Sequence, residues 1–115
     1  MAKALFLAWA SPIDEAADGE FNAWYEGTHV PQVRASIPAI TAVHRYTTAD
    51  LPDGGGAGAQ PAHRYLTVYE LDTDDVPAVA AELAAAAAAG KLDLTAAMDF
   101  TSHPPVMQWY RGLPG

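Results

Sequence analysis

Two stretches with a helical apolar repeat, each set between strand-like runs, restrict this chain to few architectures. The first covers residues 20–36, where Phe21, Trp24, Tyr25 and Thr28 recur at i, i+3, i+4 and i+7 and share one face. Val33 and Ile37 continue the stripe as far as Pro38. Pro31 interrupts it. Proline removes a backbone donor and biases Val30 away from helical dihedrals, so a kink or break is predicted there. The second helix follows residues 72–75, whose carboxylates suit the positive end of a helix dipole. Pro77 is tolerable in a first turn, Val76, Val79, Ala80 and Leu83 form the stripe, and Gly90 is placed for a C-terminal cap. The alanine run at 84–89 has high helix propensity and lets a helix approach a sheet closely.

Four runs read as strands. Residues 3–10 are apolar and bounded by Ser11-Pro12. A polar connection at 14–19 separates this run from the first helix. Residues 40–48 alternate and carry Val43 and Tyr46. In residues 62–71, Leu66 and Val68 fall on one face and Tyr65, Thr67 and Tyr69 on the other. Between these two runs, Gly54, Gly55, Gly56 and Gly58 mark residues 49–61 as a hairpin loop. Residues 98–110 form the fourth run. Pro104-Pro105 within it suits only an edge or a bulge.

The order β-α-β-β-α-β predicts an α+β domain over residues 1–115: a ferredoxin-like antiparallel sheet with two helices on one face. The other face then needs a cover, and Tyr65 and Tyr69 are expected on it. Of the 115 residues 25 are alanine, so the core is thin. Apolar burial contributes roughly 25 cal/mol per Å², and alanine buries little. A homodimer is the expected remedy for both problems.

Charge and composition exclude several classes. Lys plus Arg number 6 and Asp plus Glu 14, a formal charge of −8, with no basic cluster for a nucleic acid or an anionic membrane. No apolar run approaches the roughly 20 residues that a membrane helix needs. The absence of cysteine removes disulfides, thiolate nucleophiles and Cys-ligated metals, and fits a cytoplasmic protein. The four histidines form neither HxH nor HExxH, so no metal site is expected. The glycine run lacks the Lys-Ser/Thr of a phosphate-binding loop. No GxSxG occurs, and Ser11, Ser36 and Ser102 have no evident base.

The remaining chemistry lies in histidines, tyrosines and one asparagine. His29 stands at the expected helix break, where an imidazole can act as general acid or base near neutral pH. Counted with Asn22 and Glu26 at i, i+4, i+7, it falls on the polar helix face. Tyr65 and Tyr69 offer hydroxyls that can hold a ketone or carboxylate oxygen and stabilise an enolate. Asn22, Tyr25, His44, Tyr46 and His63 complete a candidate substrate-binding set. His44 also reads as a strand histidine bonded to a neighbour, and Trp9, Trp24 and Tyr25 read as core. No role is expected for His103.

The segment Phe21-Asn22-Ala23-Trp24-Tyr25-Glu26-Gly27-Thr28-His29-Val30-Pro31-Gln32-Val33 resembles the signature of EthD-type proteins in the dimeric α/β-barrel superfamily. Ile37-Pro38-Ala39-Ile40 leading to His44-Arg45-Tyr46 fits the same pattern, with Ala39 in place of the usual glycine. Trp109-Tyr110-Arg111 is similar to the C-termini of that family. The resemblance implies the dimeric barrel and raises the functional reading of His29. It implies a cofactor-independent enzyme on a hydrophobic, oxygenated small molecule, a polyketide or aromatic intermediate. The expected chemistry is proton transfer: cyclisation, isomerisation or decarboxylation. The alternatives are a cofactor-free monooxygenase on a phenolic or anthrone-type substrate, and a non-catalytic ligand-binding accessory protein.

Overall fold

The computed structural model describes residues 3–49 and 63–114. Strand β1 (Lys3–Ala10) leads through a 3-10 turn (Glu15–Ala17) into helix α1 (Asp18–Trp24), a π-helical turn (Tyr25–His29) and helix α2 (Val30–Ser36). Strands β2 (Ile40–Thr47) and β3 (Tyr65–Asp72) follow, then helix α3 (Val76–Ala88) and strand β4 (Val106–Arg111). The strands form one sheet in the order β2-β3-β1-β4, and every neighbouring pair is antiparallel. This is the expected α+β ferredoxin-like arrangement. The glycine-rich loop lies outside the described residues from position 50 onward. Among the described residues, no helix is long and apolar enough to cross a membrane.

The helices cover one sheet face. Ala4, Phe6, Tyr69 and Leu71 from the sheet meet Val33 and Ile37 at the end of α2 and Val79 of α3 in one buried cluster. A second cluster joins Ala10 to Phe21, Tyr25, Ala97 and Met98. The alanine-rich α3 contributes only Val79 and Ala86 as buried residues. Large rings on the sheet therefore fill the space between the layers. Paired across the strands, Phe6 stacks on Tyr69 at 5.1 Å and on Trp109 at 4.1 Å between ring centroids.

That packing corrects the expected placement of the tyrosines. The parity was right, since Tyr65, Thr67 and Tyr69 share a face, but that face is the one under the helices. Tyr69 is 0% exposed and Thr67 1%. Small helix residues need large sheet residues opposite them, so the tyrosines turn inward. Leu66 and Val68 are left on the open face with Leu5, Trp9, Tyr46 and Tyr110.

The fourth strand also differs. Residues 98–110 do not form one strand: Met98 only bridges Pro12, and β4 starts at Val106. Between them Asp99 Oδ1 accepts the backbone N–H groups of Thr101 (2.9 Å) and Ser102 (3.0 Å), and Oδ2 that of His103 (3.2 Å). A side chain that captures three amides offers the backbone an alternative to a ladder, and Pro104-Pro105 has no donors to give one. β4 is an edge strand, where the prolines were expected to belong. Helix α3 follows its expected signals: Asp75 Oδ1 accepts from Ala78 N at 3.1 Å, and Gly90 takes φ +73° past the end.

The break expected at Pro31 is absent. The helix instead widens one turn earlier, and the N–H of Val30 reaches back five residues to the carbonyl of Tyr25. Pro31 has no N–H for the ordinary ladder, and its ring crowds the preceding carbonyls; a wider turn relieves both. The widening also sets the inward face. Phe21, Tyr25, His29, Val33 and Ile37 are spaced by four, and at 3.6 residues per turn each such step overshoots by about 40°. One π turn takes up much of that drift, so Phe21, Tyr25, Val33 and Ile37 are all buried.

Candidate functional site

The π turn decides where His29 points. It was expected on the polar face; instead its ring stacks on Trp24 at 4.7 Å and meets Tyr25 edge-on at 4.9 Å. Its Nδ1 is buried and has no partner among the described residues. Burial, reinforced by the Arg45 guanidinium, lowers its pKa to about 4. The imidazole is therefore neutral at physiological pH.

Around it stand the inward groups of β2 and β3. Tyr69 pairs with Val43 on one side and Phe6 on the other, which puts its hydroxyl under the helix layer. That hydroxyl too is buried without a partner among the described residues. Burial, and then the Tyr25 hydroxyl beside it, push its pKa far above that of a free tyrosine, so it keeps its proton. Burial likewise raises Tyr25, against the opposing influence of Thr67, Arg45 and Tyr69. Tyr65 donates to Asp18 Oδ1 at 2.5 Å and accepts from Asn22 Nδ2 at 3.2 Å, a chain linking the first turn of α1 to β3.

Arg45 is the residue that sequence reading missed. Its register partner is Thr67, so it points under the helices rather than to solvent. The guanidinium carbon sits 4.3 Å from the centroid of Tyr25, 5.5 Å from Tyr65 and 6.0 Å from Phe21. Its side chain is 15% exposed, and its Nη1 donates to Glu26 at 2.9 Å, whose own side chain is 70% exposed. Nε and Nη2 are buried and unpartnered among the described residues, as is Trp24 Nε1. The signal was present in the sequence: Arg45 has the parity of Val43 on an alternating strand and lies two residues from it.

The structure thus brings together His29, Tyr65, Tyr69, Asn22 and Tyr25 of the expected set, and adds Arg45, Trp24 and Asp18. It does not bring in the others. His44 and Tyr46 lie on the open face, where His44 Nε2 meets Glu70 Oε2 at 2.6 Å and Tyr46 is 54% exposed. That is the bonded strand histidine of the alternative reading. His63 is buried just ahead of β3, with Nδ1 3.4 Å from Ser11 Oγ and its ring 6.5 Å from that of His103. Ser11 therefore does have a histidine beside it, contrary to expectation. Its oxygen also accepts the backbone N–H of Arg64 at 3.0 Å, which ties the end of β1 to the start of β3. A depression of about 470 Å³ at the Lys3–Arg111 end of the sheet contains none of the unpartnered atoms. Among the described residues, no three His, Asp or Glu side chains gather where they could hold a metal ion.

No family model matches the sequence, and no curated protein matches it. Solved structures do. An ethyl tert-butyl ether D (EthD) family protein of Bacillus halodurans C-125 aligns at TM-score 0.54 and 16% identity, over 98% of this chain and 100% of its own. An EthD-like protein of Ralstonia eutropha JMP134 aligns at TM-score 0.55 and 20% identity, over 95% and 91%. The chain shares the EthD-like fold. A dimeric ferredoxin-like protein from an uncultured marine organism aligns at TM-score 0.60 and 12% identity, over 100% of this chain and 99% of its own. At such identities the likeness is one of architecture, and the site chemistry rests on this chain's own residues.

Proposed function

We propose that this protein is a cofactor-independent enzyme that moves a proton on a hydrophobic, oxygenated small molecule, a polyketide or aromatic intermediate, so as to cyclise, isomerise or decarboxylate it. One observation carries the reading. Four side chains within one aromatic layer hold buried polar atoms that no described residue satisfies: His29, Tyr69, Arg45 and Trp24. Leaving a buried donor or acceptor unpaired costs about 1–3 kcal/mol, so a cluster of them is a disposition for a ligand that supplies the partners.

The chemistry follows from the protonation states. Neutral His29 accepts a proton from the carbon next to a substrate carbonyl. The protonated Tyr69 hydroxyl donates to that carbonyl oxygen as it becomes an enolate, and the charge of Arg45 lies beside the developing anion. An imidazole with a pKa of about 4 is a weak base on its own. The enolate formed next to it raises its affinity for the proton, so the proton stays on His29 only while the anion exists. Returning it to a different carbon completes an isomerisation; attack of the enolate carbon on a second carbonyl of the same molecule, which takes up the proton at its oxygen, closes a ring. Tyr65, held by Asp18 and Asn22, keeps a second hydroxyl next to the Arg45 guanidinium.

We propose further that the chain pairs with a second copy through its open sheet face. Leu5, Tyr46, Val106 and Tyr110 are exposed there, and the dimeric ferredoxin-like relative of the same fold supports that pairing.

The test is proton exchange on 2-tetralone, a bicyclic ketone fused to a benzene ring, followed by NMR in deuterium oxide. The wild-type protein is expected to speed loss of the α-proton signal well above buffer, and His29→Ala to lower that rate by about 10²–10⁴-fold. Exchange no faster than buffer, or unchanged in His29→Ala, overturns the reading.

A further inference from the structure

The guanidinium of Arg45 is only partly used, and the unused part has a shape. Nη1 is committed to Glu26 Oε2 at 2.9 Å. Nε and Nη2 are both buried and unpartnered among the described residues. These two nitrogens lie on the same side of the planar group and direct parallel N–H bonds, the fork that receives two oxygens at once. The aromatic rings of Tyr25 and Tyr65 near the guanidinium carbon, at 4.3 and 5.5 Å between that carbon and their centroids, hold the plane in place. Glu26 fixes its rotation from the far edge. An arginine held this way, with both fork nitrogens unpartnered among the described residues, is suited to receive a planar anion.

We propose that the substrate of this site carries two coplanar oxygens sharing one negative charge, a carboxylate or the enolate of a 1,3-dicarbonyl, seated bidentate on Nε and Nη2 of Arg45. The inference rests on the reading of this layer as the substrate site, and narrows the substrate from oxygenated to anionic. Neutral ketones and alcohols offer the fork one oxygen and leave the second N–H unpaired. The surroundings agree with the choice. The unpartnered donors Tyr69 Oη and Trp24 Nε1 belong to the same layer, and His29, neutral there, adds no competing cation. Glu26, the one carboxylate on the guanidinium among the described residues, bonds Nη1 and does not occupy the fork. Asp18 is taken up by Tyr65 and Asn22.

The experiment is a titration of ¹⁵N-labelled full-length protein, reading the Arg45 Nε–H resonance. It is identified among the four arginines by its contacts to the rings of Tyr25 and Tyr65. Three probes are compared: benzoate, the enolate of benzoylacetone at a pH above its ionisation, and benzamide. A planar anion is expected to move the Arg45 Nε–H downfield and slow its exchange with water, with saturation, while benzamide leaves it in place. Movement with benzoate assigns the carboxylate, and movement with the benzoylacetone enolate the dicarbonyl. Arg45→Lys keeps the charge and loses the fork, and is expected to weaken binding of the responding anion by at least about tenfold, read from the backbone amides around Tyr69. No movement with either anion, or equal movement with benzamide, overturns the proposal. Should Arg45→Lys not fold, the wild-type comparison of anions with benzamide still decides. Exchange on 2-tetralone that persists while neither anion binds would defeat this inference and leave the proton-transfer reading standing; anion binding without exchange does the reverse.

Discussion

The two faces of this sheet are made from adjacent residues of the same strands, yet they treat polar groups in opposite ways. On the open face His44 has its partner in Glu70 at 2.6 Å, and most of the rest is apolar surface. Under the helices, Arg45 sits one residue away with two nitrogens unbonded among the described residues, in company with buried atoms of Tyr69, His29 and Trp24. A face that needs only a packing partner satisfies its polar groups internally. A face that takes a ligand leaves some of them for the ligand to satisfy. On the proposed reading, chemistry belongs to the inner layer and association to the outer one.

Substitutions on the two faces test that division, and the largest effect is expected in the rate. His29→Ala lowers α-proton exchange on 2-tetralone by about 10²–10⁴-fold, whereas His44→Ala changes it by less than about twofold, measured side by side. Equal losses would erase the distinction between the faces. The acid limb of the rate profile for free enzyme falls near pH 4, the pKa of His29, rather than near 6.5. With an anion bound, the limb moves upward.

The next effect is on stability. Folded His29 titrates at about 4 against 6.5 for an ordinary histidine, so between those values the unfolded chain binds the extra proton. Stability rises with pH across that window and is lost as pH falls from about 6.5 toward 4, by up to roughly 3 kcal/mol. Urea titrations at several pH values measure the slope, and His29→Ala is expected to flatten most of it. A slope unchanged by the substitution would show that another group carries it. His63, which burial also holds below the ordinary histidine range, is the alternative source.

How much of this was legible beforehand differs between the layers. The element order, the acidic start of α3, its Gly90 cap and the edge position of β4 all follow from local rules, and the structure agrees with them. The parity of β3 was also legible, but not which parity faced the helices. That depends on the complementarity between an alanine-rich helix and large sheet side chains, a relation between segments distant in sequence. His29 was misplaced for a geometric reason: a regular count of 3.6 residues per turn puts it outward, and the π turn ahead of Pro31 brings it in. A stripe spaced by four through Phe21, Tyr25, Val33 and Ile37 was the available signal for that turn. Arg45 went unnoticed because a charged residue on a strand is ordinarily assigned to solvent.

On the outer face, Val68→Asp puts a charge at the middle of the central strand β3. It is expected to weaken self-association by about 100-fold, since the two-fold of a homodimer sets like charges close together. Light scattering across a dilution series reads this directly. Exchange activity per folded chain that collapses with the dimer would show that the two faces are not independent. The smallest effect belongs to Tyr65→Phe, which removes the link between Asp18 and Asn22 and is expected to cost about 1 kcal/mol in urea unfolding.

The most direct test of the account compares tryptophans on the two faces. Trp24 belongs to the inner layer with its indole N–H buried and unbonded among the described residues, while Trp9 lies on the open face of β1. Each indole N–H gives one resolved signal in a ¹H–¹⁵N spectrum, to be followed as 2-tetralone is added. A saturable shift and slower solvent exchange are expected for Trp24, with Trp9 unmoved. A ligand that shifts Trp9 and leaves Trp24 in place would put the binding site on the open face of the sheet and rule out the inner layer.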